Sequence, residues 1–204
     1  MLKQTFINLI NNYTGNSRIA EELWNEVYKA YTHKKRHYHT LTHLENLITE
    51  LAEYKPHITD WDTLLFAVFY HDIVYNVLKQ NNEEESAELA VKRMTAIRVP
   101  ADKINKCKAM TLATKAHQLT NDTDTDLFTD ADLAILGQPW NTYENYTRQV
   151  RAEYSVYPDL MYKPGRKKVL AHFLSMTCIY KTEQFFTRYE LSARENMKRE
   201  LAML

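Results

Sequence analysis

Three short stretches of this 204-residue chain gather imidazoles and carboxylates at spacings that suit a cation. His39 and His43 stand four apart in Arg36-His-Tyr-His-Thr-Leu-Thr-His-Leu44, and positions i and i+4 of a helix share one face. His43 also lies four before Leu47, about 40° from it around a helix, so it borders the buried stripe. His71-Asp72 falls in the middle of the apolar run Phe69-Tyr-His-Asp-Ile-Val-Tyr75. A carboxylate there costs free energy unless it is paired or bound to a cation. Asp130-Ala-Asp132 sits just before the apolar turn Leu133-Ala-Ile-Leu136. His43, His71, Asp72 and Asp132 together offer two imidazoles and two carboxylates. That donor set suits a divalent Mn, Fe, Ni, Co, Zn or Mg ion better than a thiolate-seeking one. A buried His/Asp hydrogen-bond network without metal would satisfy the same pattern.

The elements that must hold these residues are helices. Gly and Pro number only 3 and 5, about a third of ordinary usage, and helices exclude both residues while tight turns between strands need them. Apolar residues recur with helical period. Ile19, Leu23, Trp24, Val27 and Tyr31 form one stripe, opened by Asn16-Ser17 as a cap. Leu44, Leu47, Ile48 and Leu51 form a second, ending before Pro56. A third helix, from about Asp60 to Val74, is apolar nearly all round and belongs at a core. Further helices are expected over 84–97, 101–117, 131–136, 141–155, 165–178, 182–189 and 191–203. Pro100, Gly137-Gln-Pro139, Pro158 and Pro164-Gly165 punctuate them. The expected fold is all-α, a single compact multi-helix bundle over 1–204.

Charge and cysteine usage narrow the setting. Lys+Arg and Asp+Glu number 26 each, which leaves no basic footprint for nucleic acid. Cys107 and Cys178 build no disulfide framework and read as small reduced hydrophobes. The N-terminus lacks the apolar core of a signal peptide, and the longest apolar run, Leu64 to Tyr70, is too short to span a bilayer. A cytoplasmic location is expected, with no membrane or nucleic-acid partner; the aromatic load is compatible with a homodimer.

The ligand pattern resembles the HD superfamily of metal-dependent phosphohydrolases, and most closely its small bacterial members. The resemblance rests on Arg36-x-Tyr-His-x-x-x-His43, Tyr70-His-Asp-Ile-Val-Tyr75, Asn82-Glu-x-x-Ser86-Ala87, Thr114-Lys-x-His117, Asp130-Ala-Asp-Leu-x-x-Leu-Gly137 and Ala193-Arg-x-Asn196. These segments run across most of the chain. The resemblance implies His43, His71, Asp72 and Asp132 as ligands of one divalent ion, with room for a second. It places Asp130 behind Asp132 or as a cap of the following helix. It implies hydrolysis of a small phosphorylated molecule, with a nucleotide as the leading instance. The Tyr-His-x-x-x-His run is also similar to that of cyclic nucleotide phosphodiesterases, which makes His39 a candidate proton donor, although Thr40 stands where those enzymes have Asn.

Other residues have roles to be weighed. Glu83, Glu84 and Glu85 follow the central helix; the resemblance implies that one of them, with Glu83 and Glu84 the candidates, orients a water, or all three simply favour the start of the next helix. His117 and the cations Lys115, Arg166, Lys167, Lys168 and Arg194 are the groups that could reach a phosphate, with His117, Lys115 and Arg166 the substrate-binding candidates. Tyr38, Tyr70 and Tyr75 flank the site and either line a pocket or pack a core. Asp122-Thr-Asp124-Thr-Asp126 imitates a calcium loop but has Leu127 for the required Gly and Leu133 for the closing Glu; it reads as a solvated connection. Two alternatives keep the site and change its use. One is a metal- or nucleotide-binding sensor with little turnover. The other is a di-iron oxygenase, against which counts the single His117 between His71-Asp72 and Asp132.

Overall fold

Without strands to pair, the chain buries its apolar stripes helix against helix. The structure, a computed structural model describing residues 1–204, is all-α. Its helices are α1 (Leu2–Asn11), α2 (Ser17–Tyr31), α3 (Leu41–Ala52), α4 (Trp61–Tyr70), α5 (Asn82–Ala96), α6 (Ala101–Ala113), α7 (Thr123–Asp132), α8 (Trp140–Glu153), α9 (Asp159–Ser175) and α10 (Glu183–Met203), with 3₁₀ turns at Lys55–His57 and Leu133–Gly137. None of the helices is long and apolar enough to cross a membrane. The chain divides into two compact units, 1–129 and 130–204.

The first unit is built around α4. Every residue of α4 from Thr63 to Tyr70 is buried, as a helix with no polar face requires. Asp60 starts it by accepting the N–H of Thr63 at 3.1 Å. From α1, Phe6 meets Phe69 edge-on, with centroids 4.8 Å apart, and Trp24 of α2 meets Phe6 at 5.9 Å. Each such side chain withdrawn from water contributes about 1.5–3 kcal/mol. The expected helices hold in outline for α2, α3 and α5, with three departures. The expectation left residues 2–11 without an element, yet they form α1. The central helix ends at Tyr70 rather than near Val74, and α6 ends at Ala113 rather than at 117. His117 lies beyond that end with φ of 50°, and its N–H closes on Ala113 O at 2.9 Å.

The second unit also departs from expectation. Pro164 and Gly165 lie inside α9 instead of preceding it. The two helices expected over 182–189 and 191–203 are one continuous α10. Glu190, at the expected break, accepts the N–H groups of Ile179 and Tyr180 at 3.0–3.2 Å. Gly137 packs so tightly on α10 that an added Cβ would lie 2.5 Å from Tyr189 Cβ.

Candidate metal centre

His43 is set in the first turn of α3, with Thr40 as the N-cap residue and its carbonyl receiving the His43 N–H at 3.0 Å. His71 is the residue that ends α4, and its N–H still reaches Ala67 O at 2.8 Å. Both imidazoles are buried, His43 4% and His71 1% exposed. The His71 ring is oriented by its own helix, because Nδ1 lies 3.0 Å from Val68 O. A carbonyl only accepts, so Nδ1 carries the proton and Nε2 of neutral His71 presents a lone pair. That Nε2 stands 3.2 Å from His43 Nε2 and 3.2 Å from Asp72 Oδ2. Phe128 meets the His71 ring edge-on at 5.6 Å.

Asp132 is the last residue of α7, a helix that starts at Thr123. One ligand atom each from His43, His71 and Asp132 lies within 4.8 Å of the others. A lone pair turned toward a second imidazole nitrogen and a carboxylate calls for a cation or an extra proton among them. The donors fit a borderline or hard divalent ion, and no thiolate competes. Cys107 is buried in α6, where desolvation pushes its thiol up to about 12. Asp72 is outside the tight three-residue group but adjoins it through His71.

α7 itself corrects the expectation for 122–126. Those residues are not a solvated connection. Asp122 accepts from Thr125 N–H and Oγ1 at 3.1 and 2.6 Å, starting the helix. Asp124 is 1% exposed; it receives the N–H groups of Thr59 and Asp60 at 2.8 and 3.0 Å and the Lys106 ammonium at 2.7 Å. Asp126 accepts from Thr120 N–H at 2.9 Å. The three carboxylates thus hold the helix that carries Asp132.

His39 and His43 do not share a helix, since α3 begins at Leu41. They still meet, with ring centroids 5.7 Å apart. His39 Nε2 lies 3.7 Å from Asp72 Oδ2, and its ring rests on Tyr75 at 4.3 Å and meets Tyr38 edge-on at 4.9 Å. Tyr70, by contrast, is wholly buried, and burial pushes its phenol up; it is core rather than lining.

Several residues of the quoted motifs turn out to pin backbone. Ser86 Oγ bonds both N–H and C=O of Val74, at 3.1 and 3.2 Å. Asn82 does the same for Asn76, at 3.0 and 3.1 Å. Both fix the loop that follows Asp72. In the second unit, Asn196 donates to Leu136 O and Gln138 O at 2.9 and 2.8 Å. Arg194 is likewise spent, on Glu190 and the carbonyls of Leu174, Met176 and Thr177.

The remaining candidates are placed as follows. Lys115 pairs with Glu84 and donates to Gln80 O at 3.0 Å. The hydrogen bond from Lys115 holds the Glu84 carboxyl below the usual carboxylate range. Glu83 lies in the first turn of α5 beside Glu84. Arg166 is buried rather than offered to a ligand, with Nε 2.7 Å from Glu200 Oε1 and Nη2 2.9 Å from Oε2. Lys167 and Lys168 are exposed on α9. Spacing alone did not reveal the tie from Arg36 to Ile73 O, 2.9 Å long, which joins residues far apart in sequence.

Comparison of the chain with protein-family models, with curated proteins and with solved structures finds no match.

Proposed function

We propose that this protein is a metal-dependent hydrolase of a small phosphorylated molecule, a nucleotide being the leading instance. The observation that carries the reading is the convergence of His43, His71 and Asp132 within 4.8 Å, with Asp72 3.2 Å from His71. These four residues would hold one divalent ion. When bound, such an ion stabilises charge developing on a phosphoryl oxygen and lowers the pKa of water. The protein's own groups supply the rest. The Val68 carbonyl fixes the His71 tautomer so that Nε2 faces inward. His39, half-buried beside Asp72, holds a proton at Nε2 that it delivers to the leaving oxygen. The Asp72 oxygen that faces His71, Oδ2, also lies 3.7 Å from that His39 nitrogen and offers the protonated imidazole a counter-charge. The resemblance to HD phosphohydrolases agrees with this assignment of roles.

The test is metal content by elemental analysis of protein purified without chelator, for wild type beside His71→Ala and Asp72→Ala. About one equivalent of a transition ion in wild type and loss in both variants is the expected result. A panel of phosphomonoesters and phosphodiesters with that ion then reads turnover. Retained metal without turnover would make the protein a metal-holding sensor. Absence of metal, with no rise in melting temperature on adding Mn or Ni, would overturn the reading.

A further inference from the structure

The connection between α2 and α3 has no regular structure from 33 to 40, so no helix positions His39. Arg36 sits within that connection and is itself buried, 9% exposed. Its guanidinium donates through Nη1 to His39 O at 3.2 Å and through Nη2 to Ile73 O at 2.9 Å. It lies over the ring of Tyr31 at 4.6 Å and over that of Tyr75 at 5.4 Å. Tyr75 in turn carries the His39 ring on its face at 4.3 Å.

We infer that Arg36 is a positioning residue: it clamps the His39 segment to the turn bearing Asp72, and so sets the place of the proton donor against the metal ligands. This rests on the proposed function for what His39 does, but the clamp itself is a statement about the protein alone. Two carbonyls distant in sequence receive the two arms of one planar fork. Carbonyl dipoles and ring faces meet the buried charge. The chemistry requires Arg. A Lys ammonium is a point charge that cannot bridge both carbonyls and also stack between two rings. Ile73 O belongs to the residue after Asp72, so the same fork holds the turn from which that carboxylate projects.

The experiment compares wild type, Arg36→Lys and Tyr75→Leu, with Leu9→Ala as a control that destabilises the same unit from the buried face of α1. Acylation of each histidine by diethyl pyrocarbonate in metal-free protein is followed by mass spectrometry, with exposed His172 as internal reference. Zn²⁺ and Mn²⁺ affinities are measured by calorimetry. His39 should be acylated several-fold faster in Arg36→Lys and Tyr75→Leu than in wild type. Ion affinity should fall about 10-fold in Arg36→Lys, the usual effect of losing a group behind the ligands. Leu9→Ala should lower the melting temperature and do neither. His39 reactivity equal to wild type in both variants, with only a lower melting temperature, would overturn the clamp and leave Arg36 a stabilising residue. Should Arg36→Lys not fold, Tyr75→Leu decides alone, because it removes the ring between guanidinium and imidazole and keeps both hydrogen bonds. Should wild type bind no ion, the hydrolase reading falls, while acylation of His39 still decides the clamp.

Discussion

Asp130 and Asp132, two residues apart at the end of α7, face different tasks because two helical steps turn a side chain through about 200°. Asp132 is the one grouped with His43 and His71. Asp130, wholly buried, instead receives the N–H groups of Lys181 and Thr182 at 2.8–3.0 Å and the Thr182 hydroxyl at 2.7 Å, and forms an ion pair with the Lys181 ammonium at 2.8 Å. Thr182 is the N-cap residue of α10. Asp130 therefore holds the start of the last helix rather than capping the next one.

The two aspartates should separate cleanly on substitution. Asp130→Asn keeps the shape but leaves the Lys181 ammonium buried without its counter-charge. Breaking a buried pair costs about 3–5 kcal/mol, so a marked fall in urea midpoint is expected. Asp132→Asn should leave the urea midpoint nearly unchanged and lower Mn²⁺ affinity at least about 10-fold. Equal loss of stability in both would contradict this division.

Acid should act on the first unit through its helix caps. Burial alone would raise the Asp60 carboxyl, but the hydrogen bonds from Lys103 and Thr63 outweigh it and hold the group below its ordinary value. Asp122 is lowered likewise: the bonds from Thr125 and Lys106 outweigh burial. A carboxyl lowered by folding contributes stability that is full above its unfolded pKa, about 4, and is lost as pH falls through the lower folded value. Asp60→Ala should thus cost about 1 kcal/mol at pH 7, the usual worth of a cap. The difference from wild type should shrink below about pH 4. A pH-independent difference in melting temperature would point to packing instead.

How much of this was legible in the sequence depended on whether the cause was local. The stripes of α2 and α3 are local, as is the all-apolar run of α4, and these were readable. α7 was not, because its Asp-Thr-Asp-Thr-Asp opening has loop composition. What makes it helical are partners far away in the chain: Lys106 and the Thr59 and Asp60 amides for Asp124. The four candidate ligands were singled out by residue type and spacing. The end of α4 at Tyr70, which lets His71 and Asp72 leave the helix, was not. No turn residue marks that end; the Ser86 and Asn82 ties to the following loop do. Arg166 read as a phosphate-binding candidate because its partner Glu200 is thirty-four residues on.

The seat of Gly137 is open to a direct test. Gly137→Ala would place a Cβ 2.5 Å from Tyr189 Cβ and 2.9 Å from Tyr189 O. A backbone oxygen cannot swing aside as a side-chain tip can, so the helix itself must shift. Overpacking of this kind costs about 1–3 kcal/mol. Urea denaturation followed by tyrosine fluorescence should show that loss, and an unchanged midpoint would mean that α10 yields at no cost.

Arg166 separates stability from ligand binding. Its guanidinium and the Tyr143 hydroxyl both bond Glu200, and Tyr146 lies beneath it at 5.4 Å. Arg166→Met leaves the Glu200 carboxylate buried with one bond from Tyr143, and should cost about 3–5 kcal/mol. Pairing it with Glu200→Leu removes the stranded charge, so the double variant should recover much of the loss, though Tyr143 then lacks its acceptor. Turnover of phosphate esters and ion affinity, read at a temperature where both variants remain folded, should match wild type. Had Arg166 instead been a phosphate contact, the double variant would regain stability and still show a raised KM. That outcome would return Arg166 to the substrate.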